Sequence, residues 1–299
     1  MKHFLSIEEQ NAEKLNTLLK LSKKFKANRG ASSDRPLEGQ TWALIFNKPS
    51  TRTRISFEVG IHELGGSAMF LSKSDIQLGR GEPIIDTARA LGRMVHGAVI
   101  RTFAQKDVEL FAEYGRIPTI NALTDEEHPC QIVADLQTIL ENRGTLDGLE
   151  VCFIGDGDNN VARSWIWAAE HLGFGLRIAA PKGYQPSEEL VGKLKNPKII
   201  ITADPIAGVE GAHVVYTDVW VSMGFEDESA QRLKNLLAYQ ISDDLMAKAA
   251  PDALLLHCLP AYRGKEITEE VFERNSKTIF DQAENRLHVQ KAIISEIVR

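Results

Sequence analysis

Short apolar runs alternate with stretches of helical periodicity along almost the whole chain, and this alternation leaves few folds open. Thr41–Phe46, Ser67–Leu71, Gly97–Thr102 and Pro118–Asn121 read as strands, with helices beginning near Ser50, Glu82 and Gln105 between them. A helix from about Pro129 to Asn142 follows, and Gly144 and Gly148 bracket a turn. A second series opens at Val151-Cys152-Phe153-Ile154 and continues through Leu176–Ala180, Ile199–Thr202, Val214–Thr217, Ala253–His257 and Thr278–Phe280. Continuous apolar strands separated by helices are the pattern of a parallel sheet covered on both faces. The expected fold class is therefore α/β, with two doubly wound parallel-sheet domains. A length of 299 residues suits that number. We place the boundary near Asp147, giving domains 1–147 and 148–283 and a last helix over 284–299. At the N-terminus, Ser6 followed by Glu9 reads as a capping box that opens a long helix through Leu15, Leu18, Leu19 and Leu21.

Composition narrows the function. The formal net charge of −6 argues against a nucleic-acid or membrane-surface protein, which needs a broad basic face. No apolar stretch approaches the length of a membrane span, and Glu8 and Glu9 interrupt any signal-peptide core. Cys130, Cys152 and Cys258 are scattered and odd in number, so reduced thiols in the cytosol are expected rather than a disulfide framework. No zinc-type spacing occurs, since His62-Glu63 lacks the second His of a metalloprotease motif.

Against that mildly acidic background, Ser50-Thr51-Arg52-Thr53-Arg54 stands out. It follows a buried strand and a breaking Pro49, and Ile55, Phe57, Val59, Ile61 and Leu64 then recur at helical spacing. A helix N-terminus carries unpaired N–H groups and partial positive charge. Two Arg and three hydroxyls added there suit an anion, phosphate above all. An ordinary capped helix with two solvated Arg is the plainer alternative.

In open α/β sheets ligands bind outside the carboxyl ends of the strands, which directs attention to the polar residues there. Arg101 is a candidate second anion ligand, or an Arg whose stem packs along the surface. His128 and Gln131 flank Pro129 and could donate to a carbonyl oxygen, or His128 could simply cap a helix. Gly155-Asp156-Gly157-Asp158-Asn159-Asn160 sits at a strand-to-helix turn but lacks the third glycine of a dinucleotide fingerprint. Asn160 suits a polar substrate such as an amino acid. Asp218 and Ser222 could grip an ammonium group, or Asp218 could cap its own loop. Cys258 is either an inert buried thiol or one activated by the adjacent His257.

Together these segments resemble the carbamoyltransferase family. Phe46-Asn47-Lys48-Pro49-Ser50-Thr51-Arg52-Thr53-Arg54 and His128-Pro129-Cys130-Gln131 resemble its shared motifs. Asp218 through Ser222-Met223-Gly224, and His257-Cys258-Leu259-Pro260, resemble those of its ornithine-using branch. The likeness extends to Glu284-Asn285-Arg286. Two departures appear: Asn47 stands where an acidic residue is expected, and Asp158 lengthens the Gly-Asp-Gly-Asn-Asn turn by one residue.

The resemblance implies transfer of the carbamoyl group of carbamoyl phosphate to the δ-amine of L-ornithine, giving citrulline, with arginine biosynthesis in the cytoplasm as the expected setting. It implies no metal and no organic cofactor, a terminal helix that returns to the first domain, and a homotrimer or multiple of trimers. Carried over residue by residue, Ser50, Thr51, Arg52 and Thr53 hold the phosphate, Arg101, His128 and Gln131 hold the carbamoyl group, and Arg286 reaches the phosphate side. Gln77 completes a neighbouring subunit's site. Asn160 and the Met223 N–H take the ornithine carboxylate, while Asp218 and Ser222 take its α-ammonium. Cys258 and Leu259 complete the carbamoyl phosphate set and lie near the δ-amine. Cys258, Arg101 and His128 are the expected catalytic groups.

Overall fold

Near-continuous apolar runs form the inner strands of two sheets in the computed structural model, which describes residues 2–31, 34–72, 81–221 and 229–299. The chain divides into two compact units, one of residues 1–137 and 284–299, the other of residues 138–283. The first contains β1 (His3–Phe4), α1 (Ala12–Ala27), β2 (Thr41–Phe46), α2 (Thr51–Glu63), β3 (Ser67–Ser72), α3 (Ile84–Leu91), β4 (Gly97–Arg101), α4 (Gln105–Gly115), β5 (Thr119–Leu123) and the start of α5 (Pro129–Arg143). Its sheet runs β1-β5-β4-β2-β3, with every pair parallel. One face packs Ala43, Ile45, Ala98 and Ile100 against Ala88, Val108 and Phe111 of the covering helices.

The second unit contains β6 (Glu150–Ile154), α6 (Asn160–Leu172), β7 (Gly175–Ala179), α7 (Glu188–Gly192), β8 (Ile199–Thr202), α8 (Pro205–Val209), β9 (Val214–Thr217), α9 (Ser229–Leu236), α10 (Asp243–Met246), β10 (Leu254–His257) and the part of α11 (Glu269–Ile297) that precedes Glu284. Its sheet, β10-β9-β6-β7-β8, is also parallel throughout. Cys152, Ile154, Val215 and Leu255 pack there against Ile241, Val271, Phe272 and Ile279.

The same joint opens an inner strand of each unit. The Thr41 N–H donates to His96 Nδ1 at 3.1 Å while the His96 N–H donates to the Thr41 carbonyl at 2.8 Å. In the second sheet the Glu150 N–H donates to His213 Nδ1 at 3.1 Å, and the His213 N–H returns to the Glu150 carbonyl at 2.8 Å.

Three local expectations are corrected. Ser6 and Glu9 do not open the first helix: Ser6 Oγ accepts the Glu9 N–H in a turn, and the helix starts under Asn11, whose side chain accepts the Lys14 N–H. His3–Phe4 pairs with β5, so the chain must first cross the sheet end before a helix can begin. Thr278–Phe280 is not a strand but lies within α11, and the last helix starts at Glu269 rather than near Glu284. Val271, Phe272 and Ile279 are buried while Phe280 is exposed, a helical period that three apolar-looking residues in isolation cannot reveal.

Candidate active site

In the first unit the site is built at the carboxyl ends of β2, β4 and β5. Ser50 caps α2, its Oγ accepting the Thr53 N–H at 3.3 Å and donating to Thr53 Oγ1 at 2.9 Å. Arg286, on α11, donates to Thr53 Oγ1 at 3.4 Å and to Gln131 Oε1 at 2.6 Å. Thr53 Oγ1 thus accepts twice, which leaves its own hydroxyl proton to donate to a ligand. Gln131 is held in turn by its amide, which donates to the buried Asp135 at 2.7 Å. The five side chains from Ser50 to Asp135 form one chain of hydrogen bonds beneath the first turn of α2. Thr51 and Arg52 are exposed on that turn. Among the described residues Arg52 is in no ion pair, whereas Arg54 is engaged by Glu58 at 2.8 Å and stacks over Phe70. Of the two arginines in the motif, Arg52 alone is therefore open to an anion.

Arg101, at the end of β4, and His128, at the start of α5, are both buried. Burial, followed by the charges of Arg286 and Arg101, holds the His128 imidazole well below the ordinary histidine range. Its neutral ring keeps one N–H donor in a strongly cationic setting. Lys48, also buried, pairs with Asp125 and lies over the Phe103 ring. Asn47, the departure noted above, donates to Thr102 Oγ1 at 2.9 Å and its N–H to the Arg101 carbonyl at 2.8 Å, so it ties β2 to β4 beside Arg101.

In the second unit the polar groups lie at the carboxyl ends of β6, β9 and β10. Gly155 has φ +127°, and an added Cβ at Gly157 would stand 2.5 Å from Ile178, so this turn admits no side chain at either position. Asn159 caps α6, its side-chain oxygen accepting the Ala162 N–H at 2.8 Å. Asn160, half-buried, is the first helical residue. Asp156 accommodates the added residue by accepting the Asp158 N–H at 3.2 Å, and it pairs with buried Arg232 at 2.6 Å. Arg232 also donates to the Trp220 carbonyl at 3.3 Å.

Asp218 is buried and accepts the Cys258 thiol at 2.9 Å and the Val219 N–H at 2.8 Å. Burial raises its carboxyl above the ordinary aspartate range, against the lowering effects of His257, Cys258 and the Val219 N–H and with a further raising effect of Glu266. Cys258 is half-buried, and its thiol donates to Asp218. His257 Nδ1 accepts the Leu259 N–H at 2.9 Å, so Nε2 carries the proton and faces Glu266 at 3.2 Å. Leu259 is thereby held at φ +60°, a costly conformation for a branched side chain. Asp218, His257 and Cys258 bring metal-ligand atoms within 4.8 Å of one another. Both His257 ring nitrogens are already engaged, so a metal there would have to break one of these contacts.

The structure thus brings Ser50, Thr51, Arg52, Thr53, Arg101, His128, Gln131 and Arg286 to one end of the first unit. It brings Asp218, Cys258 and Leu259 together in the second, with Asn160 at its own strand end. Gln77, Ser222 and Met223 lie outside the described residues. Sequence reading missed Asp135, Glu266 and Arg232. Asp135 had a visible signal, four residues beyond Gln131 on one helix face. Glu266 and Arg232 had none, being joined to their partners by loops.

Comparison with known proteins bears on both halves. The family model for the aspartate/ornithine carbamoyltransferase carbamoyl-P binding domain matches residues 2–141, and that for the Asp/Orn binding domain matches residues 147–297. A curated ornithine carbamoyltransferase of Akkermansia muciniphila is 56% identical over 299 residues, 99% of this chain and 98% of that one. The crystal structure of the anabolic ornithine carbamoyltransferase of Campylobacter jejuni superposes with a TM-score of 0.94 at 42% identity, covering 99% of both chains. The ornithine carbamoyltransferase of Pyrococcus furiosus gives a TM-score of 0.92 at 44% identity, over 98% of this chain and 96% of that one. Matches that run through both units, at identities well above what a shared fold alone requires, make this chain a member of the aspartate/ornithine carbamoyltransferase family.

Proposed function

We propose that the chain transfers the carbamoyl group of carbamoyl phosphate to the δ-amine of L-ornithine, releasing citrulline and phosphate. The observation that carries this reading is the linked set Ser50–Thr53–Arg286–Gln131 at the N-terminus of α2, with Arg101 and a neutral His128 beside it. A helix terminus and buried guanidiniums offset the charge of a phosphate, and a neutral imidazole N–H suits a carbonyl oxygen. The relatives named ornithine carbamoyltransferase support ornithine as the acceptor. Residues 1–147 serve carbamoyl phosphate, 148–283 serve ornithine, and 284–299 bring Arg286 to the phosphate side.

In this reading Ser50, Thr51, Arg52, Thr53 and Arg286 hold the phosphate, with Gln77 supplied by a neighbouring subunit of a trimer. Arg101, His128 and Gln131 hold the carbamoyl group. Asn160 and the Met223 N–H take the amino-acid carboxylate; the capping duty of Asn159 supports choosing Asn160. Asp218 and Ser222 take the α-ammonium, and Cys258 and Leu259 lie by the δ-amine. The amine nitrogen forms its bond to the carbamoyl carbon, a tetrahedral oxyanion develops, and the bond to the phosphate oxygen breaks. Arg101, His128 and Thr53 stabilise that oxyanion with donors already in place. Carbamoyl phosphate is itself activated, so these steps call on no metal or organic cofactor.

The amine must first lose a proton. With a pKa of about 10.4 it is ~99.9% protonated near neutrality, and selecting the neutral form costs about 4 kcal/mol. Cys258 as the thiolate, its own proton passed along the hydrogen bond to Asp218, is the proposed acceptor. Turnover then rises toward alkaline pH, and Cys258→Ser lowers kcat more than it weakens carbamoyl phosphate binding. A Cys258→Ser variant with full turnover would remove that role.

The deciding experiment measures carbamoyl transfer with ornithine, putrescine, N-acetylornithine and aspartate side by side. A large preference for ornithine supports the whole reading. Preference for another acceptor overturns the second unit's assignments and leaves the phosphate half standing. The cytoplasmic, arginine-synthesising setting is part of the same proposal, supported by the anabolic Campylobacter relative.

A further inference from the structure

The residue immediately before His128 is a buried glutamate that does not point toward the anion pocket. Glu127 Oε2 accepts the Ile7 N–H at 2.7 Å and Oε1 accepts the Glu8 N–H at 3.2 Å, across 120 and 119 residues of sequence. Its backbone is pinned on the other side. The Glu127 N–H donates to Thr124 Oγ1 at 3.1 Å, and its carbonyl accepts the Thr124 N–H at 2.9 Å. Thr124 passes its hydroxyl proton to Gln105 Oε1 at 2.8 Å, and Gln105 and Asn121 both donate to the Leu5 carbonyl, at 3.2 and 2.8 Å. The backbone of residues 5–8 is therefore bound at three points by groups around the turn that presents His128. A carboxylate that accepts two N–H groups in a buried setting forms charge-assisted bonds, stronger and more directional than neutral ones.

We propose that Glu127 is a positioning residue: it clamps the N-terminal turn, and through that clamp fixes the backbone from which His128 addresses the carbamoyl oxygen. The N-terminal segment is in this view a functional support of the first unit's site, not a leader to the fold. The inference rests on the role given to His128 above. It concerns the carbamoyl end of the ligand, because the phosphate cradle hangs on α2 and Arg286 while the Glu127 carboxylate binds the backbone of residues 7 and 8.

The test compares the full-length protein with Glu127→Ala and with Glu127→Gln, whose shape is unchanged but whose amide group sets a donor against one of the two N–H groups. Three quantities are read below the melting temperature: kcat/KM for carbamoyl phosphate, KM for ornithine, and affinity for inorganic phosphate as a probe of the cradle alone. Misplacing a reacting contact by a fraction of an ångström is expected to lower kcat/KM about tenfold or more in the alanine variant. The glutamine variant should fall in between. Ornithine KM and phosphate affinity should stay at the parent values. Unchanged kcat/KM in either variant overturns the proposal. Phosphate affinity that drops in step with kcat/KM also overturns it, since that signals general disruption. Should the parent protein itself transfer no carbamoyl group, the reading of the site fails instead, a result distinguishable from both.

Discussion

Arg286 and Gln131 stand 155 residues apart in sequence and meet through a 2.6 Å hydrogen bond between guanidinium and amide oxygen. The bond ties α11 to α5 within the first unit, and Thr53 Oγ1 extends it to α2. Arg286 is therefore both a ligand candidate and the piece that orients the Thr53 hydroxyl. Arg286→Gln should weaken carbamoyl phosphate binding by about 1.5–3 kcal/mol per charge-assisted bond lost, or ~10–100-fold. Arg286→Lys should recover little, because an ammonium cannot reach Gln131, Thr53 and a phosphate with a planar fork. Kinetics at saturating ornithine would measure this, and an Arg286→Gln variant with parental KM would remove Arg286 from the site.

The neutral state of His128 has a pH signature. Burial and the two neighbouring guanidiniums keep the folded-state pKa well below the ordinary 6.5. Below about 6.5 the unfolded chain takes up a proton that the folded chain refuses, so His128 reduces stability as pH falls through that value. The parent should lose melting temperature between about pH 6.5 and 5 more steeply than His128→Gln does. The kcat/KM profile for carbamoyl phosphate should show no inflection near the ordinary histidine pKa. An inflection there that vanishes in His128→Gln would contradict a neutral ring.

Asp218 carries the opposite sign. Burial raises its carboxyl above 3.8, against His257, the Cys258 thiol and the Val219 N–H. The unfolded chain releases this proton first, so the group's contribution to stability declines as pH rises from about 3.8 through the folded value. Asp218→Asn should therefore melt higher than the parent at neutral pH while losing ~10–100-fold in ornithine affinity, the weight of a hydrogen bond to a charged group. Calorimetry and ornithine titration on the same preparation would check both halves. A variant that melts lower would show that the ionised carboxylate is a net stabiliser.

The dock of α11 on α2 offers a test of stability without chemistry. Lys291 Nζ, almost fully buried, meets Glu63 Oε2 at 2.6 Å, and exposed Arg29 meets the other oxygen at 3.1 Å. Burial pushes the Glu63 carboxyl up, but the bond and charge of Lys291, then those of Arg29, bring it below the ordinary value of 4.5. The stabilising contribution is present above that value and fades as pH falls through the folded pKa. Glu63→Ala leaves a buried ammonium unpaired and should cost about 3 kcal/mol, whereas Arg29→Ala should cost less than ~1 kcal/mol. Adding Lys291→Met to Glu63→Ala should recover most of the loss. Equal effects of the two single substitutions in denaturant titrations would refute the distinction.

Strand periodicity and strand ends were legible in the residues themselves. A parallel strand buried on both faces has to be apolar throughout, so Thr41–Phe46 and Val214–Thr217 announce themselves and the polar residues that end them are conspicuous. Arg101, His128, Asp218 and Cys258 were found that way. The groups that brace the surrounding framework were not, because Glu266, Arg232 and Glu127 reach His257, Asp156 and the backbone of residues 7 and 8 through tertiary contacts that carry no local period. Thr278–Phe280 failed for a related reason: a β-branched and aromatic triplet satisfies a strand pattern, and only the burial of Val271, Phe272 and Ile279 around it reveals the helix. The two-residue β1 is too short for any pattern to register.

The paired joints of His96 with Thr41 and of His213 with Glu150 have a consequence for how each sheet finds its alignment. Sliding a strand by one residue would turn its whole buried face toward the opposite side. In apolar strands buried on both faces, side-chain character offers little resistance to such a slip. An imidazole that accepts one N–H while its own backbone N–H returns to the same residue's carbonyl admits a single offset. Each histidine thus acts as an index pin, setting β2 against β4 and β6 against β9 where the apolar sequence alone would be indifferent.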